Sequence, residues 1–113
     1  MRWYYLEVNK EMVKGYLESI ILSLLKNQDL YGYDILKRIR VISNDTFEIK
    51  EGTLKRLENN KFIKSYWDDA ESGGGRRRYH HITNEGLKYL NNKEKEWRFF
   101  ENIMNKFFRS VDK

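Results

Sequence analysis

The sequence predicts a mainly α-helical chain with one small β-hairpin, closing in a long C-terminal helix. Three observations predict it. Apolar residues recur at spacings of three and four along most of the chain, strict alternation appears only between Phe62 and Ile82, and proline, the residue that most often interrupts helices, is absent from the 113 positions. The hairpin turns through Ser72-Gly73-Gly74-Gly75-Arg76-Arg77-Arg78-Tyr79. Its glycines accept the positive φ of a tight turn, and its arginines open the return strand. A basic, flexible tip suits the phosphate backbone of a nucleic acid; the competing reading is a solvated loop with a charge run.

Length and composition narrow the classes. A chain of 113 residues has room for one domain with a real core. It has no cysteine, so neither disulfides nor a thiolate zinc site holds it together. No apolar run approaches the roughly 20 residues of a membrane span, and no signal-peptide pattern opens the chain, so the expectation is a cytoplasmic protein. The 22 basic against 17 acidic residues leave a net charge of +5, which favours polyanionic partners.

In chain order, residues 1–9 form an aromatic N-terminal segment in which Trp3, Tyr4, Tyr5 and Leu6 are expected to dock on the domain or on a second subunit. Met12, Val13, Tyr16, Leu17, Ile20, Ile21, Leu24 and Leu25 mark the buried stripe of a helix from Lys10 to Lys26, ended by Asn27-Gln28-Asp29. A second helix begins near Tyr31, with Ile35, Leu36 and Ile39 inward and Gly32 placed to let another backbone come close. Phe47-Glu48-Ile49 alternates like a short strand. Glu51 to Asn60 reads as a short third helix with Leu54 and Leu57 inward and Thr53, Lys55 and Arg56 outward. Strands run from Phe62 to Trp67 and from Arg76 to Ile82, the second placing Arg78, His80 and Ile82 on one face and Arg77, Tyr79 and His81 on the other. Thr83 is the N-cap of the last helix, Glu85 complements its dipole, and Leu90, Trp97, Phe100, Met104, Phe107 and Val111 fall on an a/d seam suited to pairing with a second copy.

Helix, helix, short strand, helix and basic hairpin is the winged helix-turn-helix plan. The residues also resemble the PadR-like transcriptional regulators, and its short-tailed subgroup in particular, over roughly Lys10 to Lys106. The resemblance rests on Leu30-Tyr31-Gly32-Tyr33-Asp34-Ile35, Glu51-Gly52-Thr53-Leu54, Lys55-Arg56-Leu57-Glu58, Phe62-Ile63-Lys64-Ser65-Tyr66-Trp67 and Gly74-Gly75-Arg76-Arg77-Arg78-Tyr79. It implies a homodimeric repressor on double-stranded DNA, with residues 10–83 as the DNA-binding domain and 84–113 as the dimerisation helix. The DNA-facing positions it implies are Tyr33, Thr53, Lys55, Arg56, Gly74, Gly75, Arg76, Arg77 and Arg78. The dimer positions are Leu90, Trp97, Phe100, Ile103, Met104 and Phe107, with Trp97 and Phe100 also placed to hold a flat aromatic effector. Trp97 read alone is more simply a seam filler, since that needs only helix pairing, and the two uses are compatible if the seam leaves a gap. The family usually carries about four further residues between Leu54 and Lys55, about one turn, so the third helix here is shorter by about 6 Å with its phase nearly kept. His80 stands where the family tends to have an inward aromatic.

Enzyme chemistry is not expected. His80 and His81 point to opposite faces of a strand and cannot share a metal ion, and no nucleophile, base and orienter can be assembled. No cofactor or metal is therefore assigned. Asp68, Asp69 and Glu71 read as a solvated turn. The sequence supports two functions: a DNA-binding repressor, and a PadR-like dimer whose shortened third helix has lost specific reading and which acts as a ligand-binding or protein-interaction module.

Overall fold

The computed structural model describes residues 10–46, 48–68 and 76–111, with the backbone alone at Val111. The aromatic segment 1–9, Phe47, Asp69, Glu71 and the glycines Gly73, Gly74 and Gly75 lie outside them, as do the side-chain contacts of Val111. The elements are α1 (Lys10–Lys14), α2 (Leu17–Leu25), β1 (Leu30–Tyr31), α3 (Gly32–Ile42), α4 (Glu51–Asn59), β2 (Ile63–Asp68), β3 (Arg77–Ile82) and α5 (Asn84–Val111). This is a winged helix-turn-helix with a long C-terminal helix.

The expected first helix is two helices. Gly15, a weak helix former, and Tyr16 break it, and the Tyr16 amide bonds Val13 O at 2.7 Å to close a tight turn. The break turns the Tyr16 ring onto α5. A strand expected at Phe47-Glu48-Ile49 is absent from Glu48 and Ile49; the third strand is Leu30–Tyr31 instead. The three strands are antiparallel in the order β1-β3-β2, with Leu30 opposite His80 and Tyr31 opposite Tyr79. Ile49 still contributes, as a buried plug in the core.

Ile21, Leu22, Leu25, Ile35, Ile39 and Leu57 are the fully buried centre, where α2, α3 and α4 meet. Ile63 and Ile82 close it from the hairpin, and Leu90 closes it from α5. Each such side chain contributes about 1.5–3 kcal/mol by leaving water. Leu90, expected at a dimer seam, is only 6% exposed and belongs to the core of its own chain. The seam's period is right, but the first two turns of α5 lie against α2 and spend that residue there.

Helices α3 and α4 end in the same way, without glycine. The Asp45 amide bonds Arg40 O at 2.8 Å and the Asn44 amide bonds Val41 O at 3.1 Å; after α4, Phe62 bonds Leu57 O at 3.0 Å and Lys61 bonds Glu58 O at 2.9 Å. These are Schellman closures, and they put Asn44 and Lys61 at φ 54° and 63°. The second turn lies against the start of α5, the Thr83 amide bonding Phe62 O at 3.0 Å. Thr83 Oγ1 accepts from the Gly86 amide at 3.0 Å, the expected N-cap, and donates to Lys61 O at 2.8 Å. Gly86 is the glycine the packing demands, because a Cβ there would collide with the Phe62 carbonyl. Gly32 faces only side chains, Leu54 and His80, at ordinary contact distances of 3.5 and 3.7 Å.

Candidate nucleic-acid interface

Helix α4 is nine residues long and amphipathic, so Leu54 and Leu57 seat it on the core and leave one narrow outer face. Lys55 is exposed on that face. Thr53, expected beside it, is 7% exposed and turned inward, because a short helix packed on two sides buries more of its circumference than the heptad pattern suggests. Arg56 is exposed but held: its Nε donates to Glu18 Oε2 at 3.3 Å, and Glu18 Oε1 accepts from Tyr89 OH at 3.3 Å. α4 is thereby tied to α2 and, through them, to α5.

Beyond α4 the hairpin carries the three arginines. Strand alternation sends Arg77 to the outer face and Arg76 and Arg78 to the face turned toward α4. Each guanidinium lies against an aromatic ring. Arg76 and Arg78 sit over Trp67 at 5.0 and 5.5 Å, and Arg77 sits over Tyr31 at 4.9 Å. Arg78 Nη2 also donates to Glu58 Oε2 at 2.8 Å, so this arginine braces the wing against α4. Burial pushes the Glu58 carboxyl up, but the hydrogen bonds from Arg78 and Ser65 and the Arg78 charge outweigh it and hold it below the usual carboxylate range.

Between wing, α4 and the start of α3 runs an open groove of about 330 Å³, lined among others by Tyr31, Tyr33, Lys55, Arg78 and His80. Tyr33 stands at its rim, 59% exposed, its ring 6.1 Å from that of Tyr31. His80 forms the floor at 4% exposure, Nδ1 2.7 Å from Ser65 Oγ. Burial lowers the His80 pKa; the Glu58 charge opposes that shift and the Arg78 charge adds to it. The position where the family tends to have an inward aromatic is thus filled by a buried ring hydrogen-bonded to Ser65.

On the outer face of the sheet the register aligns Tyr31, Tyr79 and Tyr66 in one row across all three strands. Asp29 anchors that face. Its Oδ2 accepts from Tyr66 OH at 2.6 Å and its Oδ1 from His81 Nδ1 at 2.7 Å. The bond to Asp29, then burial, pushes the Tyr66 hydroxyl up to about 12. The sequence signalled neither this anchor nor the ring partners of the arginines. Cross-strand pairing of Trp67 with Arg78 follows only from the register.

A second region lies between α2 and α5. A groove of about 340 Å³ is lined by Tyr16, Ser19, Ile20, Ser23, Lys26, Leu90, Lys93, Glu94 and Trp97. Trp97, 48% exposed, meets Tyr16 edge to face at 6.1 Å, and Tyr16 OH donates to Glu96 at 2.9 Å. Farther along α5, Phe99, Phe100, Phe107 and Phe108 are exposed, while Ile103 and Met104 are half-buried. Among the described residues no group of three or more His, Asp or Glu side chains is placed to hold a metal ion, and no helix is long and apolar enough to cross a membrane.

Residues 21–92 match the family model described as transcriptional regulator PadR-like family. A transcriptional regulator from Clostridium thermocellum is 42% identical and superposes with a TM-score of 0.72 over 86% of this chain and 97% of its own. A PadR family transcription regulator from Clostridium difficile is 44% identical, with a TM-score of 0.70 over 83% and 99% of the two chains. A PadR-like regulator from Bacillus cereus, 30% identical, gives 0.74 over 87% and 96%.

Proposed function

The chain belongs to the PadR-like family of transcriptional regulators, and from that premise we propose that it is a homodimeric, cytoplasmic repressor acting on double-stranded DNA. The observation that carries the DNA-binding part is the groove between α4 and the wing. Lys55 on one wall and Arg78 on the other place cations on both sides of it beside Glu51 and Glu58, with Tyr33 at the rim and the exposed Arg76 farther along the wing. Phosphates are the natural counter-charge for such a rim, and base edges are then within reach of α4. Residues 10–83 form the DNA-binding unit in this reading. Residues 84–113 pair two copies, through Trp97, Phe100, Ile103, Met104 and Phe107. Gly74 and Gly75, outside the described residues, belong to the proposed interface as the resemblance implies, whereas Thr53 acts from beneath by seating α4.

Fluorescence anisotropy with a duplex from upstream of the chain's own gene, beside a scrambled duplex of equal length, tests the proposal at about 150 mM salt. A preference of about 10³-fold or more for the native duplex is the expected result. Equal, steeply salt-dependent binding to both overturns sequence-specific repression and favours the module reading. That second reading draws on α4 itself, nine residues long with Arg56 and Glu58 already engaged inside the chain.

An aromatic effector at Trp97 is the further part of the proposal. The half-exposed ring at the mouth of the α2–α5 groove supports it, since a flat ligand can stack there without displacing the core. Titration with a flat aromatic dye is expected to quench tryptophan emission in the parent chain and not in Trp97→Ala. No quenching in the parent removes this part.

A further inference from the structure

Each arginine of the wing has its guanidinium carbon over a ring, and two of them share one. Trp67 sits on the edge strand β2, directly opposite Arg78 in the register, with Arg76 two residues before Arg78, just ahead of β3. Both guanidinium carbons lie over its ring, at 5.0 and 5.5 Å. The ring is half-exposed and absent from the core cluster, so core packing does not account for a tryptophan here.

We propose that Trp67 is a positioning residue for DNA binding, holding Arg76 and Arg78 extended along the α4-facing side of the wing. The inference rests on the DNA-binding reading above. Its physical content is pre-organisation. A long arginine loses about 2 kcal/mol of rotamer entropy when fixed, and a ring that fixes it before DNA arrives removes part of that cost from the binding step. Stacking suits the purpose because it engages the face of the guanidinium, whereas phosphates are bound by the in-plane N–H groups. The Glu58 carboxylate differs in kind. It takes an N–H of Arg78 and so draws that arginine toward bracing α4, while the same ring also lies beneath Arg76, nearer the turn. Arg77 is held apart by Tyr31 on the opposite face, so the three charges point to two sides of the wing and not into one another.

A positioning role has a signature that a direct contact and a structural role both lack. Positioning changes affinity but not the number of phosphates neutralised, so the slope of log K against log salt stays at its parent value. The experiment uses the full chain and a fluorescein-labelled 30-base-pair duplex of mixed sequence, titrated at several salt concentrations. The variants are Trp67→Leu, which keeps apolar bulk without a ring, Trp67→Phe, which keeps a ring, and Arg76→Ala. Trp67→Leu is expected to weaken binding about five-fold, the combined worth of two exposed ring–guanidinium contacts, with an unchanged slope. Trp67→Phe is expected to stay within about two-fold of the parent. Arg76→Ala is expected to flatten the slope by about one per wing.

In protein without DNA, ring currents are expected to shift the Arg76 and Arg78 Hδ resonances upfield in the parent, and Trp67→Leu is expected to return them to ordinary values. Parent-like affinity in Trp67→Leu overturns the inference while leaving DNA binding intact. So does a flattened slope in that variant, or failure of Trp67→Phe to restore affinity. A parent chain that shows no salt-dependent binding at all overturns the DNA-binding reading, and this inference with it.

Discussion

His80 is the titratable side chain whose burial matters most to the wing. It lies at the meeting point of β3, β2 and the start of α3, and its charged neighbours are Glu58 and Arg78. Because burial holds its folded pKa below the ordinary 6.5, the ring is neutral in the folded chain near pH 7. The sign follows from linkage. Above pH 6.5 neither state carries the extra proton and its contribution to stability is complete; as pH falls through 6.5 and then the folded value, the unfolded chain gains protons first and stability is lost. Thermal unfolding followed by circular dichroism at pH 7.5 and 5.5 checks this: the midpoint falls in the parent, and falls less in His80→Phe. An equal drop in both would assign acid sensitivity to other groups. Asp29, held below its usual range despite burial by bonds from Tyr66 and His81, loses its contribution only near and below its ordinary 3.8, outside that window.

Among the elements, the two glycine-free Schellman turns are the places where local backbone preference and the fold disagree. Lys61 sits at φ 63°, a region L-residues adopt at a cost of about 1 kcal/mol. The turn persists because Phe62 must leave α4 at that angle, both to stack on Tyr89 at 4.7 Å and to accept the Thr83 amide at 3.0 Å. Lys61→Gly is therefore expected to stabilise the chain by about 0.5–1 kcal/mol in urea denaturation, with the slope of the transition unchanged. A loss of stability would mean that the lysine side chain contributes more than its backbone costs. Local sequence gives no warning of this position, since lysine is an ordinary helix residue and becomes strained only where the helix stops.

For the whole molecule the decisive feature is α5, 28 residues and so about 42 Å long, of which the first turns are spent on α2 and the remainder carries exposed aromatic side chains. A monomer would leave Trp97, Phe100, Phe107 and Phe108 open along one side of α5, an apolar stripe of the kind that marks an interaction surface. Sedimentation velocity at micromolar concentration is expected to show a dimer for the parent and a folded monomer for Phe100→Glu/Phe107→Glu. Because those residues lie outside the core cluster, the variant should keep its helical circular dichroism. A parent that sediments as a monomer removes the proposed role of residues 84–113.

What the sequence by itself determined is most of the elements, most of the residues they turn to the core and the presence of a basic wing. Those follow from periodicity, capping and turn chemistry, which act within a few residues: Leu54 and Leu57 inward on α4, Thr83 capping α5, His80 and Ile82 facing the core. Tertiary structure alone decided how the cations are employed. Whether Arg56 meets solvent or Glu18, whether Arg78 meets a phosphate or Glu58, and which ring lies beneath Arg76 depend on partners 38, 20 and several residues away in sequence. The same distance rule moved Leu90 from seam to core and put β1 at Leu30–Tyr31, since a two-residue strand exists only by virtue of the β3 edge it pairs with. Long, flexible, charged side chains have many local conformations of nearly equal energy, and a contact supplied by another element selects among them.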